Sequence, residues 1–389
     1  MKRTIAVVTS SRADYSHLYW PLKDLAVHPD VDLKLIVLAA HLSPAFGNTV
    51  DEIEQDGFII TSRIECLLDS DTDVGMAKTL GLAVLGLTDA LSQIRPDLLL
   101  LIADRYEMLA PASVALTLRI PVAHIEGGEI SEGAIDDAVR NALTKMSHIH
   151  FTSTNAARAR VISMGEEPWR VHRAGAPSLD HLTRSKLLPR SELQRSLKID
   201  LKTSPTIVAY HPVTLLQDTT EEADALFSAL AQIESQIIFC YPNADAGSHS
   251  LMHRTHEFIR QHADAHVFVN LGAVTYWSLL QHAGLLLGNS SSGIMEAASF
   301  ALPVVNVGLR QYGRERAPNV LDAEPNVASI LEKVETARSA AFRDPLCGMA
   351  NPYGDGHASE RILKVLTSVS LENLLRKRAL PEGVPPGRS

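Results

Sequence analysis

The chain has 389 residues, 46% of them hydrophobic and 21% charged, with a formal net charge of −9. At roughly 100 to 200 residues per domain this length predicts two domains, and the composition is rich enough to build a core in each. The negative balance excludes broad nonspecific binding to nucleic acid or anionic membranes, which select basic surfaces, and leaves only local basic pockets.

Short runs rich in Val, Ile and Leu alternate with longer helical patterns, as in parallel strands buried on both faces by crossover helices, so the class is α/β. In the first half, strands are expected at residues 4–9, 33–38, 98–102, 122–125 and 148–152, with helices at 19–27, 75–93, 108–119 and 136–146. After a polar segment at 183–204 the alternation starts afresh, with strands at 206–210, 236–241, 266–269, 285–287 and 304–307. Two such series predict two doubly wound, Rossmann-like domains, residues 1–180 and 181–370, with ligand crevices beyond the carboxyl ends of the strands. A helix is expected near 358–369, and residues 371–389, rich in Pro and Gly towards the end, are expected to be a disordered tail. The apolar run at residues 5–8 is too short for a signal peptide, no stretch approaches the roughly 20 apolar residues of a membrane span, and a cytoplasmic location is expected. Cys66, Cys240 and Cys347 lie far apart without a CxxC pair, so neither a disulfide framework nor a zinc site is expected.

The first strand runs into Thr9-Ser10-Ser11-Arg12-Ala13-Asp14-Tyr15. This turn either holds an anion, with Arg12 adding charge-assisted hydrogen bonds, or is a serine N-cap with Arg12 in a surface ion pair. There is no GxGxxG and no Walker loop, which argues against nicotinamide cofactors and ATP. The densest signal is Ala103-Asp104-Arg105-Tyr106-Glu107, directly after a buried run; Asp104 either points into the crevice or caps the next helix. One strand later His124 and Ile125 lead into Glu126-Gly127-Gly128-Glu129, and ten residues beyond Glu126 come Asp136 and Asp137, at a helix start where acids also serve as caps. Asp104, Glu126 and Asp136 share one rim of the sheet, and converging carboxylates acquire the separated pKa values that acid/base chemistry uses.

In the second half, His211 ends the first strand within Tyr210-His211-Pro212-Val213-Thr214, either as a structural residue or as a phosphate donor and proton carrier. Asn243 follows the next strand, either ending it or touching a nucleoside. Gly288-Asn289-Ser290-Ser291-Ser292-Gly293 after a buried strand reads as a diphosphate cradle of amides and hydroxyls aided by a helix start, with Glu296 placed for ribose hydroxyls; the plain alternative is a serine cap followed by a first-turn acid. Arg310 is the better phosphate candidate beside Arg314 and Arg316, which suit solvent or an interface equally well.

Taken together, these segments resemble the hydrolysing UDP-N-acetylglucosamine 2-epimerases of sialic acid biosynthesis, over roughly residues 4–367. The resemblance rests on Ser11-Arg12-Ala13-Asp14-Tyr15, Asp104-Arg105-Tyr106-Glu107, His124-Ile125-Glu126-Gly127-Gly128-Glu129, Ile135-Asp136-Asp137, His211-Pro212-Val213-Thr214, Pro242-Asn243-Ala244-Asp245-Ala246-Gly247, Gly288 to Ser292 and Tyr353-Gly354-Asp355-Gly356. It implies a GT-B-like pair of domains with the active site between them. It implies catalytic roles for Asp104, Glu126, Asp136 and His211, and uridine diphosphate contacts from Arg12, Ser16, Arg105, Asn243, Ser290, Ser291, Glu296 and Arg310. Ala103 stands where such proteins commonly carry glycine, a departure expected to alter packing more than chemistry. The implied reaction is anti elimination of UDP to 2-acetamidoglucal, then syn addition of water to release N-acetylmannosamine. No cofactor or metal is expected, and the implied partners are a UDP-sugar, UDP and a second or further copies in a homodimer or homotetramer. The alternatives are a related enzyme acting on UDP-2,4-diacetamido-2,4,6-trideoxyglucose, a glycosyltransferase of the same architecture, a non-hydrolysing epimerase, and a silent nucleotide-sugar sensor.

Overall fold

Parallel strands with covered faces are the framework of the computed structural model, which describes residues 2–70, 72–216, 218, 220, 222–241 and 245–378. The first half carries β1 (Arg3–Thr9), β2 (Val31–Leu38), β3 (Ile60–Ile64), β4 (Leu98–Ile102), β5 (Val122–Ile125), β6 (Ile149–Thr152) and β7 (Val171–Arg173). The second carries β8 (Thr206–Ala209), β9 (Ile237–Cys240), β10 (Ala265–Phe268), β11 (Leu285–Gly288), β12 (Val304–Val307) and β13 (Val320–Ala323). The spatial orders are β3-β2-β1-β4-β5-β6-β7 and β10-β9-β8-β11-β12-β13. Val7 of β1 lies opposite Leu35 of β2 and Leu100 of β4, with every ladder parallel. All five residues of β4 are buried, because helices cover both faces of the sheet.

The central strands match their expected places within a residue or two, whereas β3, β7 and β13 have no counterpart among the expected elements. Each of these lies at a sheet edge, where one side faces solvent. β3 alternates half-buried and exposed positions before a buried Ile64, β7 has three residues, and β13 is buried only at Ala323, so none presents a continuous apolar run.

The helix Asp73–Ile94 qualifies the expectation about membrane spans: it is 22 residues long and apolar enough, by length and composition, to cross a bilayer. In the fold it is the crossover between β3 and β4, burying Ala83, Leu87 and Leu91 in the core.

The chain end departs from the expected boundaries. The helix Ala358–Ser368 crosses back to the first domain, where Ile362 and Leu366 join Ile5, Val7, Leu18 and Leu22 in one core. Its start is held by Asp180, whose carboxylate accepts from the amides of Ala358 and Ser359, both at 2.8 Å. Residues 371–378, expected to belong to a disordered tail, are packed: Leu374 is buried, and Arg170 donates to the carbonyls of Leu374 and Arg376 at 2.9 Å. One leucine and the buried Arg170 hold a segment that composition alone reads as loose. Residues 379–389 of the expected tail lie outside the described residues.

Candidate active site

In a doubly wound sheet the ligand crevice lies where the strand order reverses, because the helices flanking that point leave on opposite faces. The reversals here fall between β1 and β4 in the first sheet and between β8 and β11 in the second. A cavity between the domains is lined from all four strand ends, by Arg12, Ser16 and His17, by Asp104 and Arg105, by His211, and by Ser290 to Ser292. Glu126, Asp136, Glu296, Arg310 and Arg314 complete much of its wall.

After β1 the chain enters the helix Arg12–Val27 at once. Ser11 is its N-cap, accepting from the Asp14 amide, while Asp14 accepts from the amide and hydroxyl of Ser10 at 3.1 and 2.6 Å. The capping alternative is therefore right for Ser11. Arg12, however, makes no ion pair among the described residues: its guanidinium crosses the cleft to the carbonyls of Val269 at 2.7 Å and Tyr241 at 3.4 Å. Ser16 and His17 lie about a turn further along the same cavity-facing side.

Each candidate carboxylate meets a cation from a different element. Asp104 does not cap a helix; it is bonded to Arg140, a buried guanidinium that also donates to the Ser131 hydroxyl and the Glu129 carbonyl, both at 3.0 Å. Glu126 Oε1 is 2.7 Å from His17 Nδ1. Asp136 Oδ2 is 3.3 Å from Arg310, which belongs to the second domain. Burial pushes the Asp136 carboxyl above the usual range, with Arg310 pulling the other way. Asp137 is the structural member of that acidic pair, accepting from the Ser131 amide at 2.8 Å and from Asn141 at 3.2 Å.

Two of the strand-end residues have left-handed backbones, Ala103 with φ 58° and Glu126 with φ 65°. The glycine expected in place of Ala103 thus bears on backbone conformation, since an L-residue there costs about 1 kcal/mol, as well as on packing, the methyl group lying against the core. His124 donates from Nε2 to the Ala103 carbonyl at 2.7 Å and supports this turn; burial lowers it to about 4, so the ring is neutral.

Arg105 is buried and paired with Glu107 at 2.9 Å and, across the cleft, with Asp245 at 3.3 Å. His211 is placed by Asn289, which accepts from its amide at 2.7 Å and donates to its carbonyl at 2.9 Å. Burial, then Arg310, Arg12 and Arg105, hold the His211 ring well below its ordinary value, so it stands in the cavity as a neutral imidazole. Asn243 lies outside the described residues.

The serine turn follows Gly288, whose φ of 143° and close approach to β8 admit no side chain: a Cβ would lie 2.2 Å from the Ala209 carbonyl oxygen. Ser290 caps the helix Ser291–Met295, and Ser292 accepts from the Tyr276 hydroxyl at 2.7 Å. That helix has five residues before a 3₁₀ turn, Ala297–Phe300, so its dipole adds little, and the groups available to hold an anion are the amides, the hydroxyls and Arg310. Arg310 is anchored to the Asn289 carbonyl at 3.2 Å. Of the readings left open for Arg314, the rim of the cleft holds: it is a buried part of the wall, donating to the Ile130 carbonyl at 3.2 Å. Arg316 pairs with Asp322 at 3.0 Å on the surface.

Sequence reasoning missed His17 and Arg140 as partners of the acids. His17 also reaches Glu296 Oε1 at 3.3 Å from Nε2. Burial alone would lower the His17 ring, but Glu126 and Glu296 together hold it well above its usual value, and His17 in turn keeps Glu296 low.

The family model described as UDP-N-acetylglucosamine 2-epimerase matches residues 23–367. The chain is 38% identical to the UDP-N,N'-diacetylbacillosamine 2-epimerase (hydrolyzing) of Legionella pneumophila, covering 96% of this chain and 98% of that protein. It is 36% identical to the GDP/UDP-N,N'-diacetylbacillosamine 2-epimerase (hydrolyzing) of Campylobacter jejuni, covering 97% and 98%. In fold it is similar to the UDP-GlcNAc 2-epimerase of Neisseria meningitidis bound to UDP-GlcNAc, with a TM-score of 0.79 at 17% identity over 93% of this chain and 99% of that one.

Proposed function

The chain belongs to the UDP-N-acetylglucosamine 2-epimerase family, and on that premise we propose that it is a hydrolysing 2-epimerase whose substrate is UDP-N,N'-diacetylbacillosamine. The observation that carries the chemistry is the set of three cleft carboxylates, Asp104, Glu126 and Asp136, each against its own cation beside a serine and arginine anion site. The substrate follows from the two hydrolysing relatives, which match nearly the whole chain and are both named for that sugar.

The residues fit the steps of such a reaction. A base takes the proton from C2, the C2–H electron pair becomes the C1–C2 double bond of a glycal, and the C1–O bond breaks with its electrons leaving on UDP. Water then adds its oxygen to C1, and a proton returns to C2 from the face that gives the manno configuration. Asp104 and Glu126, each beside a cation, are suited to accept protons, and Asp136, pushed up by burial, is suited to deliver one. Arg310, Ser290, Ser291 and a neutral His211 are suited to the departing diphosphate, Arg12, Ser16 and Arg105 to the rest of the nucleotide, and Glu296 to its ribose.

UDP-N-acetylglucosamine, the nucleotide sugar for which the family is named, is the second substrate reading. Incubation with each nucleotide sugar in water, without an acceptor, tests both. The proposal expects UDP and free 2,4-diacetamido-2,4,6-trideoxymannose, with higher kcat/KM than for N-acetylmannosamine formation. A requirement for an acceptor would support a glycosyltransferase, UDP binding without turnover a sensor, and preference for UDP-N-acetylglucosamine would replace the substrate. Homo-oligomerisation is proposed with this reading: Leu82 and Leu85 on Asp73–Ile94 and Leu116 on the adjoining helix Leu109–Leu118 offer apolar side chains to solvent.

A further inference from the structure

His17 spans the space between a catalytic-side acid and a nucleotide-side acid. Its Nδ1 is 2.7 Å from Glu126 at the end of β5, and its Nε2 is 3.3 Å from Glu296 in the second domain. All three side chains are largely shielded, at 16%, 6% and 6% exposure. An ionised carboxylate only accepts hydrogen bonds, and a neutral imidazole has one N–H to give; two carboxylate partners therefore call for protons on both ring nitrogens. One positive charge is then shared between two negative ones.

Nearby charges of the cavity wall have partners of their own: Asp104 is on Arg140, Asp136 on Arg310, Arg12 on the Val269 carbonyl and Arg314 on the Ile130 carbonyl. His181, the ring that faces His17 from the helix His181–Arg184, is lowered to about 4 by burial and is neutral. Arg184 is turned to Asp24 at 2.6 Å, and Asp180 is engaged by the amides of Ala358 and Ser359. The Ser292 hydroxyl also helps to keep the Glu296 carboxyl low.

We propose that His17 is a positioning residue that couples nucleotide occupancy to the catalytic carboxylate: Nδ1 orients Glu126 towards the sugar, and Nε2 senses whether the ribose has engaged Glu296. This rests on the assignment of Glu126 and Glu296 to the two halves of the site made above. When ribose hydroxyls donate to Glu296, His17 is relieved of one of its two partners and its charge falls more fully on Glu126. The acid is thus held ready only when the uridine half of the ligand is present.

Amide substitutions separate the two arms. Asn places its amide nitrogen near Nδ1 and Gln places it near Nε2. His17→Gln keeps the Glu296 side and is expected to lose about tenfold or more in kcat, with UDP affinity within about threefold of wild type. His17→Asn keeps the Glu126 side and is expected to retain more kcat than His17→Gln. Wild-type kcat falls as rising pH removes the ring proton, and that alkaline limb is absent in His17→Gln. Equal kcat in the two variants, or an unchanged alkaline limb, overturns the proposal. Wild-type turnover in the same assay reports separately on the functional reading.

Coupling is also read without turnover, by nitrogen-15 NMR of the histidine rings at about pH 8, well above the ordinary histidine value, with the His17 signal identified by its loss in His17→Gln. The expected result is both nitrogens protonated in the free protein and a UDP-induced shift larger at Nε2 than at Nδ1. A neutral ring at that pH, or no UDP-induced change at Nε2, contradicts the coupling even if the enzyme is active.

Discussion

Asp104, Glu126 and Asp136 are acids whose roles are set by what stands next to them. Arg140 and His17 keep a cation against the first two, and burial favours the protonated form of the third. Asp104→Asn or Glu126→Gln should lower kcat by about a hundredfold or more while UDP affinity, measured by calorimetry, stays within about threefold; normal turnover in either variant removes that residue from the mechanism. The three acids were readable because each follows or opens an element on one rim of the sheet. Their cations were not: Arg140 and His17 sit inside helices, and Arg310 comes from the other domain, so only tertiary structure pairs them. The left-handed backbone at Ala103 was equally hidden, since alanine carries no mark of positive φ.

At the scale of elements, buried strands such as Leu98–Ile102 declare themselves as unbroken apolar runs, and the edge strands Ile60–Ile64 and Val320–Ala323 do not, because solvent on one side admits polar residues. The C-terminal segment shows the same limit. Its place depends on Glu166, fully buried, which binds Lys145 at 2.6 Å, Lys377 at 2.7 Å and His150 at 3.1 Å. Although burial would raise it, bonds from His150, Lys145 and Lys377 hold its carboxyl down to about 2, against 4.5 ordinarily. Its contribution to stability is therefore complete above about pH 4.5 and is lost as pH falls towards 2. Glu166→Gln should cost about 3 kcal/mol in urea unfolding at neutral pH, flatten that part of the acid dependence, and open Arg376 and Lys377 to trypsin. A variant as stable and as protease-resistant as wild type would show that the segment is held by Leu374 and Arg170 alone.

For the whole molecule, two doubly wound sheets turned towards each other place two switch points around one cavity, and that much follows from the repeated alternation of strands and helices. The contacts that join the halves were beyond the pattern: Arg12 on the carbonyls of Val269 and Tyr241, Arg105 on Asp245, and the return of Ala358–Ser368 to the first core. They bring the acids of one domain to the serine and arginine groups of the other, which is what the proposed elimination of UDP followed by hydration requires. The most direct test is to run the reaction on UDP-N,N'-diacetylbacillosamine in deuterium oxide without an acceptor and to characterise the sugar by NMR. The account predicts a free manno-configured sugar carrying one deuterium at C2; a gluco-configured sugar with its original hydrogen, or an epimer still joined to UDP, would contradict it.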